Sequence, residues 1–152
     1  MRRVSPLRRR LVSDRAKCTG CMNCQLACSF AHHRRWQLGL SRLWVRKKEE
    51  LGWSEAVVCR SCEDPRCVRA CPNGSLSHDG GGLVLDEEGC LRCGDCIRAC
   101  CCGALRADPE GLPLVCRLEP GIPPCVAACP TGAIWVEEES EDGPGGCPEA
   151  RR

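Results

Sequence analysis

Short apolar runs alternate with cysteine-rich loops along most of this chain. The segments VVCRSC, GLVLDEEGC and LPLVC place a few apolar residues directly before cysteines, so they predict short strands that lead into loops. SRLWVRKK alternates apolar and polar residues and predicts another strand, with Trp44 facing inward. In ACPTGAIWV, Pro130 fixes the backbone and Gly132 permits a turn. That segment therefore predicts a helix end, a turn and a strand.

The composition indicates that apolar packing does not hold the fold alone. The 152 residues suffice for one domain of ordinary size, but they include no tyrosine, one phenylalanine and four tryptophans. The same chain contains 18 cysteines, far above the usual globular level. A small core with this much cysteine predicts disulfides, zinc or iron–sulfur clusters as the stabilising element.

Charge and hydropathy narrow the choice of compartment and partner. Residues 1–17 are basic but no apolar run follows them, so neither a secretory nor a twin-arginine signal is expected. No window is apolar enough to span a membrane. We therefore expect a cytoplasmic protein with reduced thiols. The basic residues are not interleaved with stacking aromatics, so nucleic acid is not an expected partner.

Fifteen of the cysteines fall into four groups. Group one comprises Cys18, Cys21, Cys24 and Cys28; group two comprises Cys59, Cys62, Cys67 and Cys71; group three comprises Cys90, Cys93, Cys96 and Cys100; group four comprises Cys116, Cys125 and Cys129. Cys101, Cys102 and Cys147 stand outside the groups.

Groups one and three share the spacing C-x2-C-x2-C-x3-C, which favours clusters over zinc. Zinc ribbons use isolated C-x2-C pairs to complete a tetrahedron, so a third nearby cysteine would be redundant. A cubane instead offers separate iron corners. One tight loop supplies three of these corners, while the fourth cysteine points to a second cluster. The spacing therefore predicts iron–sulfur clusters.

The order CxxCxxCxxxC, CxxCxxxxCxxxCP, CxxCxxCxxxC and Cx8CxxxCPTGA, over about residues 15–138, resembles a known family. It is similar to the four-cluster ferredoxin-type subunits of the dimethyl sulfoxide reductase iron–sulfur subunit class. CTGCMNCQLACSFAHH and LSRLWV especially resemble the short subunits that accompany tungsten aldehyde oxidoreductases. The resemblance implies an α+β fold of two nested bacterial-ferredoxin-like units with pseudo-two-fold symmetry, small and loop-rich. Its expected boundaries are a basic arm at 1–14, the four-cluster domain at 15–138 and an acidic, Gly/Pro-rich tail at 139–152.

The family also implies which thiols share a cluster, because group one pairs with group four and group two with group three. Carried over, the first set is Cys18, Cys21, Cys24 and Cys129; the second is Cys59, Cys62, Cys67 and Cys100; the third is Cys90, Cys93, Cys96 and Cys71; the fourth is Cys116, Cys125, Cys28 and the occupant of one remaining corner. The implied cofactors are three [4Fe-4S] clusters and a fourth cluster whose composition depends on that corner.

Glu119 stands where the family's fourth group has its second cysteine. Three arrangements are open: a four-iron cluster with Glu119 as oxygen ligand, a three-iron cluster on Cys116, Cys125 and Cys28, or no cluster. Carboxylate is a harder ligand than thiolate, so an iron bound to Glu119 would be the easiest to lose. We expect a [3Fe-4S] cluster or one that interconverts with a Glu-ligated [4Fe-4S] cluster.

The remaining candidates are the cysteines outside the four groups, two histidines and three tryptophans. Cys101 replaces the family's proline after group three; spacing makes Cys100 the ligand, and slippage onto Cys101 is the alternative. Cys102 is expected to be a small buried filler, and Cys147 a free thiol. His32 and His33 are expected to be solvated or to face a partner. Three tryptophans are expected to be packing groups rather than electron relays: Trp36, Trp53 and Trp135.

No pterin, flavin or nucleotide fingerprint and no nucleophile–base motif occurs, so no catalytic residue is expected. The resulting prediction is a non-catalytic electron-transfer subunit. Its expected partner is a catalytic subunit of the tungsten or molybdenum pterin class, with a further ferredoxin-like or flavoprotein subunit as acceptor. The alternatives are a carrier for a carbon monoxide dehydrogenase or hydrogenase, and more remotely a redox or iron sensor.

Overall fold

The computed structural model describes residues 8–79 and 81–139, so Cys147 and most of the expected tail lie outside the described residues. The elements are β1 Arg8–Ser13, α1 Asn23–His33, β2 Trp44–Lys48, β3 Trp53–Val57, α2 Arg66–Ala70, β4 Leu76–His78, β5 Leu83–Leu85, α3 Asp95–Ala99, β6 Arg106–Ala107, β7 Pro113–Leu114, α4 Pro124–Ala127 and β8 Ile134–Glu139. Within these residues, no helix has the length and hydropathy needed to cross a bilayer.

The strands form four separate two-stranded antiparallel sheets. Three of them pair neighbours along the chain: β2 with β3, β4 with β5, and β6 with β7. The fourth pairs β1 with β8, from Arg8 opposite Glu139 to Ser13 opposite Ile134, and so joins the two ends of the described chain. Strand β1 lies within the segment that was expected to be a basic arm. It is nevertheless part of the fold, since Leu11 is only 1% exposed and packs in the core.

The helices pack in two pairs, α1 against α4 and α2 against α3. Each pair belongs to its own apolar core. The core beside α1 contains Leu11, Cys24, Cys28, Leu43, Val45, Ala56, Val58, Cys125 and Ile134. The core beside α2 contains Cys67, Leu76, Leu83, Cys96 and Leu105. The molecule is therefore a small mixed α/β fold in which cysteines make up a large part of both cores.

The strand expected at SRLWVRKK is β2, but the expectation that Trp44 faces inward is wrong. Val45 is the buried residue, at 9% exposure, while Trp44 is half-buried. Because successive strand residues point to opposite faces, burying Val45 turns Trp44 outward. The Trp44 indole Nε1–H donates a hydrogen bond to the Gly103 carbonyl at 2.9 Å.

The β4–β5 hairpin also contacts the loop that carries group four. Gly82 bridges to Arg117, the Leu83 N–H donates to the Cys116 carbonyl at 3.3 Å, and the Leu118 N–H donates to the Gly81 carbonyl at 3.1 Å. Glycine is needed at position 82, because φ there is +140° and a Cβ would lie 2.9 Å from the Arg117 Cα. The hairpin beside one helix pair thus fixes the loop of the other.

Candidate metal centres

Three of the cysteine loops share one backbone feature. The residue before the second cysteine has a left-handed φ in groups one, two and three: 72° at Gly20, 49° at Ser61 and 54° at Arg92. This conformation is costly for Ser61 and Arg92, which carry a Cβ. Each loop is therefore wound tightly, as is expected where successive thiols must face one centre.

The first implied set lines one cavity. The cavity is bounded by Cys18, Cys21, Cys24 and Cys129, together with apolar atoms of Met22, Val45, Ala56 and Ile134. We call it site one. Burial raises the pKa of the Cys24 thiol to about 12, and the charges of the other three cysteines add to the rise. The Cys129 Sγ accepts a hydrogen bond from the Ala133 N–H at 3.2 Å.

A second cavity is lined by more cysteines than its set requires. Cys101 is disulfide-bonded, and the others are free thiols: Cys59, Cys62, Cys67, Cys100 and Cys102. We call it site two. Burial raises the pKa of the Cys67 thiol to about 12, with the charges of Cys100, Cys59 and Cys62 as further causes.

A third cavity is lined by the cysteines of the third set: Cys71, Cys90, Cys93 and Cys96. We call it site three. The Cys90 Sγ accepts a hydrogen bond from the Arg92 N–H at 3.4 Å. Burial raises the pKa of Cys96, and the charges of Cys90 and Cys93 contribute to the rise.

Within the described residues, the thiols of these sets are not gathered around a single metal-ion position. Bonds of about 2.3 Å from one tetrahedral zinc hold its sulfurs about 3.8 Å apart. Among the described residues, one trio has ligand atoms all within 4.8 Å of one another: Cys62, Cys101 and Cys102. No three thiols of any implied set meet that limit.

The remaining cysteines of the implied fourth set lie together beside α1, and we call this site four. Burial raises the pKa of Cys116 to about 12, with the charges of Cys125 and Cys28 as the next causes. Cys28 and Cys125 are buried in the core, and the Cys28 Sγ accepts a hydrogen bond from the Arg42 N–H at 3.3 Å. Among the residues that the structure describes, three thiols are thus brought together without a fourth.

Glu119 lies at the surface beside site four. Its side chain is exposed, and its carbonyl accepts a hydrogen bond from the Arg9 guanidinium at 2.8 Å. Leu118, which precedes it, has no left-handed φ, in contrast to Gly20, Ser61 and Arg92 at the corresponding positions. The group-four loop is therefore not wound like the other three.

The histidine pair is half-buried rather than fully solvated. His32 is one helical turn beyond Cys28 on α1, so both lie on the same helix face. Burial and the nearby Arg42 lower the pKa of His32, while the charge of Glu119 opposes them. His32 therefore lies near site four.

The tryptophans divide into two kinds. Trp53 and Trp135 are half-buried, and the Arg15 guanidinium lies 4.0 Å from the Trp53 ring centre. Trp36 is 67% exposed and stacks on Phe30 with ring centres 4.3 Å apart, so it is not a core packing group.

Cys102, expected to be a filler, lines site two. Its Sγ lies 3.8 Å from that of Cys62. A hydrogen bond with Cys102 also lowers the pKa of Cys100 to about 5. The run CCC was the only signal in the sequence, because spacing alone does not say which way the third thiol points.

Burial explains why these sites favour positively charged occupants. Clustering thiols away from water penalises their charged form. The pKa is raised to about 12 by this burial at five thiols, which therefore remain protonated near neutral pH: Cys24, Cys59, Cys67, Cys116 and Cys125. Binding iron removes the protons and supplies compensating positive charge. The geometry therefore suits cationic clusters in the buried cavities.

Comparison with known proteins adds an independent line of support. No family model matches the chain. Electron transport protein HydN of Escherichia coli K12 is 35% identical over 94 residues, which cover 57% of this chain and 53% of HydN. One component of the tetrathionate reductase of Archaeoglobus fulgidus is 37% identical over 86 residues, which cover 55% of this chain and 41% of that component. The chain thus matches about half of HydN.

A solved structure resembles almost the whole fold. It is a chain of the active site complex BamBC of benzoyl coenzyme A reductase, with a TM-score of 0.56 and 25% identity. The likeness covers 92% of this chain and 84% of the other. Together with the grouped cysteines, these likenesses support a ferredoxin-like protein that binds iron–sulfur clusters.

Proposed function

We propose that this chain is a non-catalytic electron-transfer subunit that carries single electrons through four iron–sulfur clusters. Sites one, two and three each take a [4Fe-4S] cluster on the four cysteines of the corresponding set. Site four takes a three-iron cluster on Cys28, Cys116 and Cys125. Such clusters supply reversible one-electron chemistry, and the chain tunes it through burial and hydrogen bonds to sulfur.

The observation that carries this proposal is the lining of the three cavities. Each is lined by at least four cysteines drawn from two segments that are distant along the chain. Four thiols that converge on one centre are what a [4Fe-4S] cluster requires. The relatives named for electron transport favour the same function.

The sites have an order that suits a relay. Burial raises the pKa of Cys125 to about 12, and the charges of Cys28 and Cys24 add to the rise. Cys24 belongs to site one and Cys125 to site four, so these two sites adjoin. Burial raises the pKa of Cys59 to about 12, and the charge of Cys116 is the next cause of the rise. Cys59 belongs to site two and Cys116 to site four, so these two sites also adjoin. Helix α2 carries Cys67 and ends at Cys71, which belong to sites two and three. We infer that electrons pass through the sites in the order one, four, two, three.

The three-iron assignment at site four follows from Glu119. Its exposed side chain and the absence of a left-handed residue before it leave the loop unlike the three that present two thiols in C-x2-C. A carboxylate is also the poorer ligand for cluster iron. Because site four lies between site one and site two in the proposed order, its reduction potential controls electron transfer through the whole series of clusters.

The nested arrangement remains part of the proposal. Two units, each with two sites, would be related by a pseudo-two-fold axis, with residues 15–138 as the cluster domain. The separate packing of α1 on α4 and of α2 on α3 favours this arrangement. We propose a reducing cytoplasmic setting, because cluster assembly needs the cysteines of the four sets as thiols.

The proposed partner is a catalytic oxidoreductase subunit, of the tungsten or molybdenum pterin class that the family resemblance implies. The similar BamBC chain comes from an active site complex, which favours a catalytic partner without fixing its metal. Tungsten or molybdenum in a complex that co-purifies with the tagged chain would support this partner. A complex that lacks both metals and oxidises carbon monoxide or hydrogen would support the alternative.

A redox titration monitored by electron paramagnetic resonance tests the relay. Stepwise reduction of the anaerobic protein should take up about four electrons per chain, one for each cluster. Neighbouring reduced clusters should broaden each other's signals. A protein that shows no reversible one-electron transition would contradict the proposed function.

A further inference from the structure

We propose that Cys102 is a spare ligand for site two, able to take over the iron corner that Cys62 holds. The inference rests on the proposed cluster at site two. It concerns a residue outside all four ligand sets. Site two differs from sites one and three because six cysteines line its cavity, five of them free thiols, whereas four free thiols line each of the others.

The position of Cys102 singles it out. It is a free thiol, its Sγ lies 3.8 Å from the Cys62 Sγ, and its hydrogen bond with Cys100 brings it against a second ligand of the set. Moving a sulfur between neighbouring staggered rotamers displaces it by about 3 Å. This displacement is comparable to the 3.8 Å between the two sulfurs, so we infer that a change of rotamer brings Cys102 to the Cys62 corner.

The exchange conserves atoms, charge and electrons. The Cys102 thiol gives its proton to the Cys62 sulfur as the iron–Cys62 bond breaks and an iron–Cys102 bond forms. The iron keeps its oxidation state and its four sulfur neighbours. The contact between the two sulfurs supplies the path for the proton.

Cys101 is the rival for this role, because its Sγ is also 3.8 Å from that of Cys62. Cys102 is favoured because it contacts both Cys62 and Cys100 and is a free thiol, whereas Cys101 is disulfide-bonded. If that disulfide is reduced, Cys62, Cys101 and Cys102 are close enough to bind one zinc ion. The experiment must therefore separate a spare ligand, a rival thiol and a zinc site.

The test counts iron and records paramagnetic resonance in anaerobically purified variants. Cys93→Ala is the matched control, since Cys93 is the second cysteine of its loop, as Cys62 is, in a cavity with four thiols. Cys93→Ala should lose at least about one iron per chain and gain a three-iron signal. Cys62→Ala should keep the wild-type iron count, and so should Cys62→Ala/Cys101→Ala. Cys62→Ala/Cys102→Ala should lose as much iron as the control.

Three results would overturn the inference: equal iron loss in Cys62→Ala and Cys93→Ala, retained iron in Cys62→Ala/Cys102→Ala, or zinc in place of iron at site two. Cys102→Ser provides a second measurement, because it leaves every proposed ligand and the local volume intact. On exposure to oxidant, its site-two cluster should convert to a three-iron form several times faster than in the wild-type protein. An unchanged rate would also overturn the inference. Wild-type protein without iron would instead contradict the proposed function itself.

Discussion

The Arg9 guanidinium donates hydrogen bonds to the Glu119 carbonyl at 2.8 Å and to the Gly121 carbonyl at 2.6 Å. Arg9 lies on β1, at the start of the described chain, while Glu119 lies in the group-four loop. A basic residue of the expected N-terminal arm thus holds the loop of the one site that lacks a fourth cysteine.

Arg9→Ala should loosen the group-four loop and leave the other loops unchanged. Two exposed hydrogen bonds are lost, which should cost about 1 kcal/mol, or about a fivefold shift toward a disordered loop. Paramagnetic resonance should show a weaker or broader site-four signal with the other three clusters intact. Arg8→Ala is the control, because Arg8 pairs with Glu63 instead. An equal effect of both variants would show that the Arg9 contacts do not position this site.

Glu119→Cys should convert site four into a four-iron site. A thiolate is a better ligand for cluster iron than a carboxylate, so the iron count should rise by about one per chain and the oxidised three-iron signal should disappear. Glu119→Gln, which removes the charge and keeps the size, should retain that signal. If wild-type protein has no three-iron signal, or if Glu119→Cys leaves it unchanged, the three-iron assignment is wrong.

Gly82→Ala should displace Cys116 and destabilise site four. The new Cβ would lie 2.9 Å from the Arg117 Cα and 3.0 Å from the Cys116 carbonyl oxygen, at a φ of +140°. The strain should cost about 1–3 kcal/mol. Gly39→Ala is the control, because no heavy atom lies within 4 Å of its added Cβ. Denaturant unfolding of the cluster-loaded proteins measures the difference, and equal stability of both variants would refute the close approach.

Gln25→Leu should destabilise the fold around α1. The Gln25 side chain is 5% exposed, and its Oε1 accepts a hydrogen bond from the Val45 N–H at 2.8 Å. Leucine would leave that buried donor unpaired, at a cost of about 1–3 kcal/mol. Gln37→Leu is a suitable control because Gln37 is exposed and its backbone N–H, rather than its side chain, makes the hydrogen bond to Ser29. Denaturant unfolding should place the Gln37 variant close to the wild-type protein.

Much of the local structure follows from the sequence, since apolar runs before cysteines and Cys-Pro-x-Gly turns have strong local preferences. The strand after Pro130 and the helix before it are where the turn residues indicate. The inward residue of β2 could not be chosen, because Trp44 and Val45 are adjacent apolar residues and only tertiary packing decides between them.

The candidate sites, too, could be predicted from the sequence only in their local features and not in their long-range contacts. The groups were visible as spacings, but which group pairs with which came from a resemblance, because spacing contains no information about distant segments. The contacts of Arg9 with Glu119, and of Cys102 with Cys62, depend on the folded chain. Long-range contacts of this kind leave no local pattern in one sequence.

The most direct test of the central claim is the iron, acid-labile sulfide and zinc content of wild-type protein purified without oxygen. Three four-iron clusters and one three-iron cluster predict about fifteen irons and about sixteen sulfides per chain, with zinc in trace amounts. A colourless protein, or one whose thiols hold zinc alone, would contradict the account.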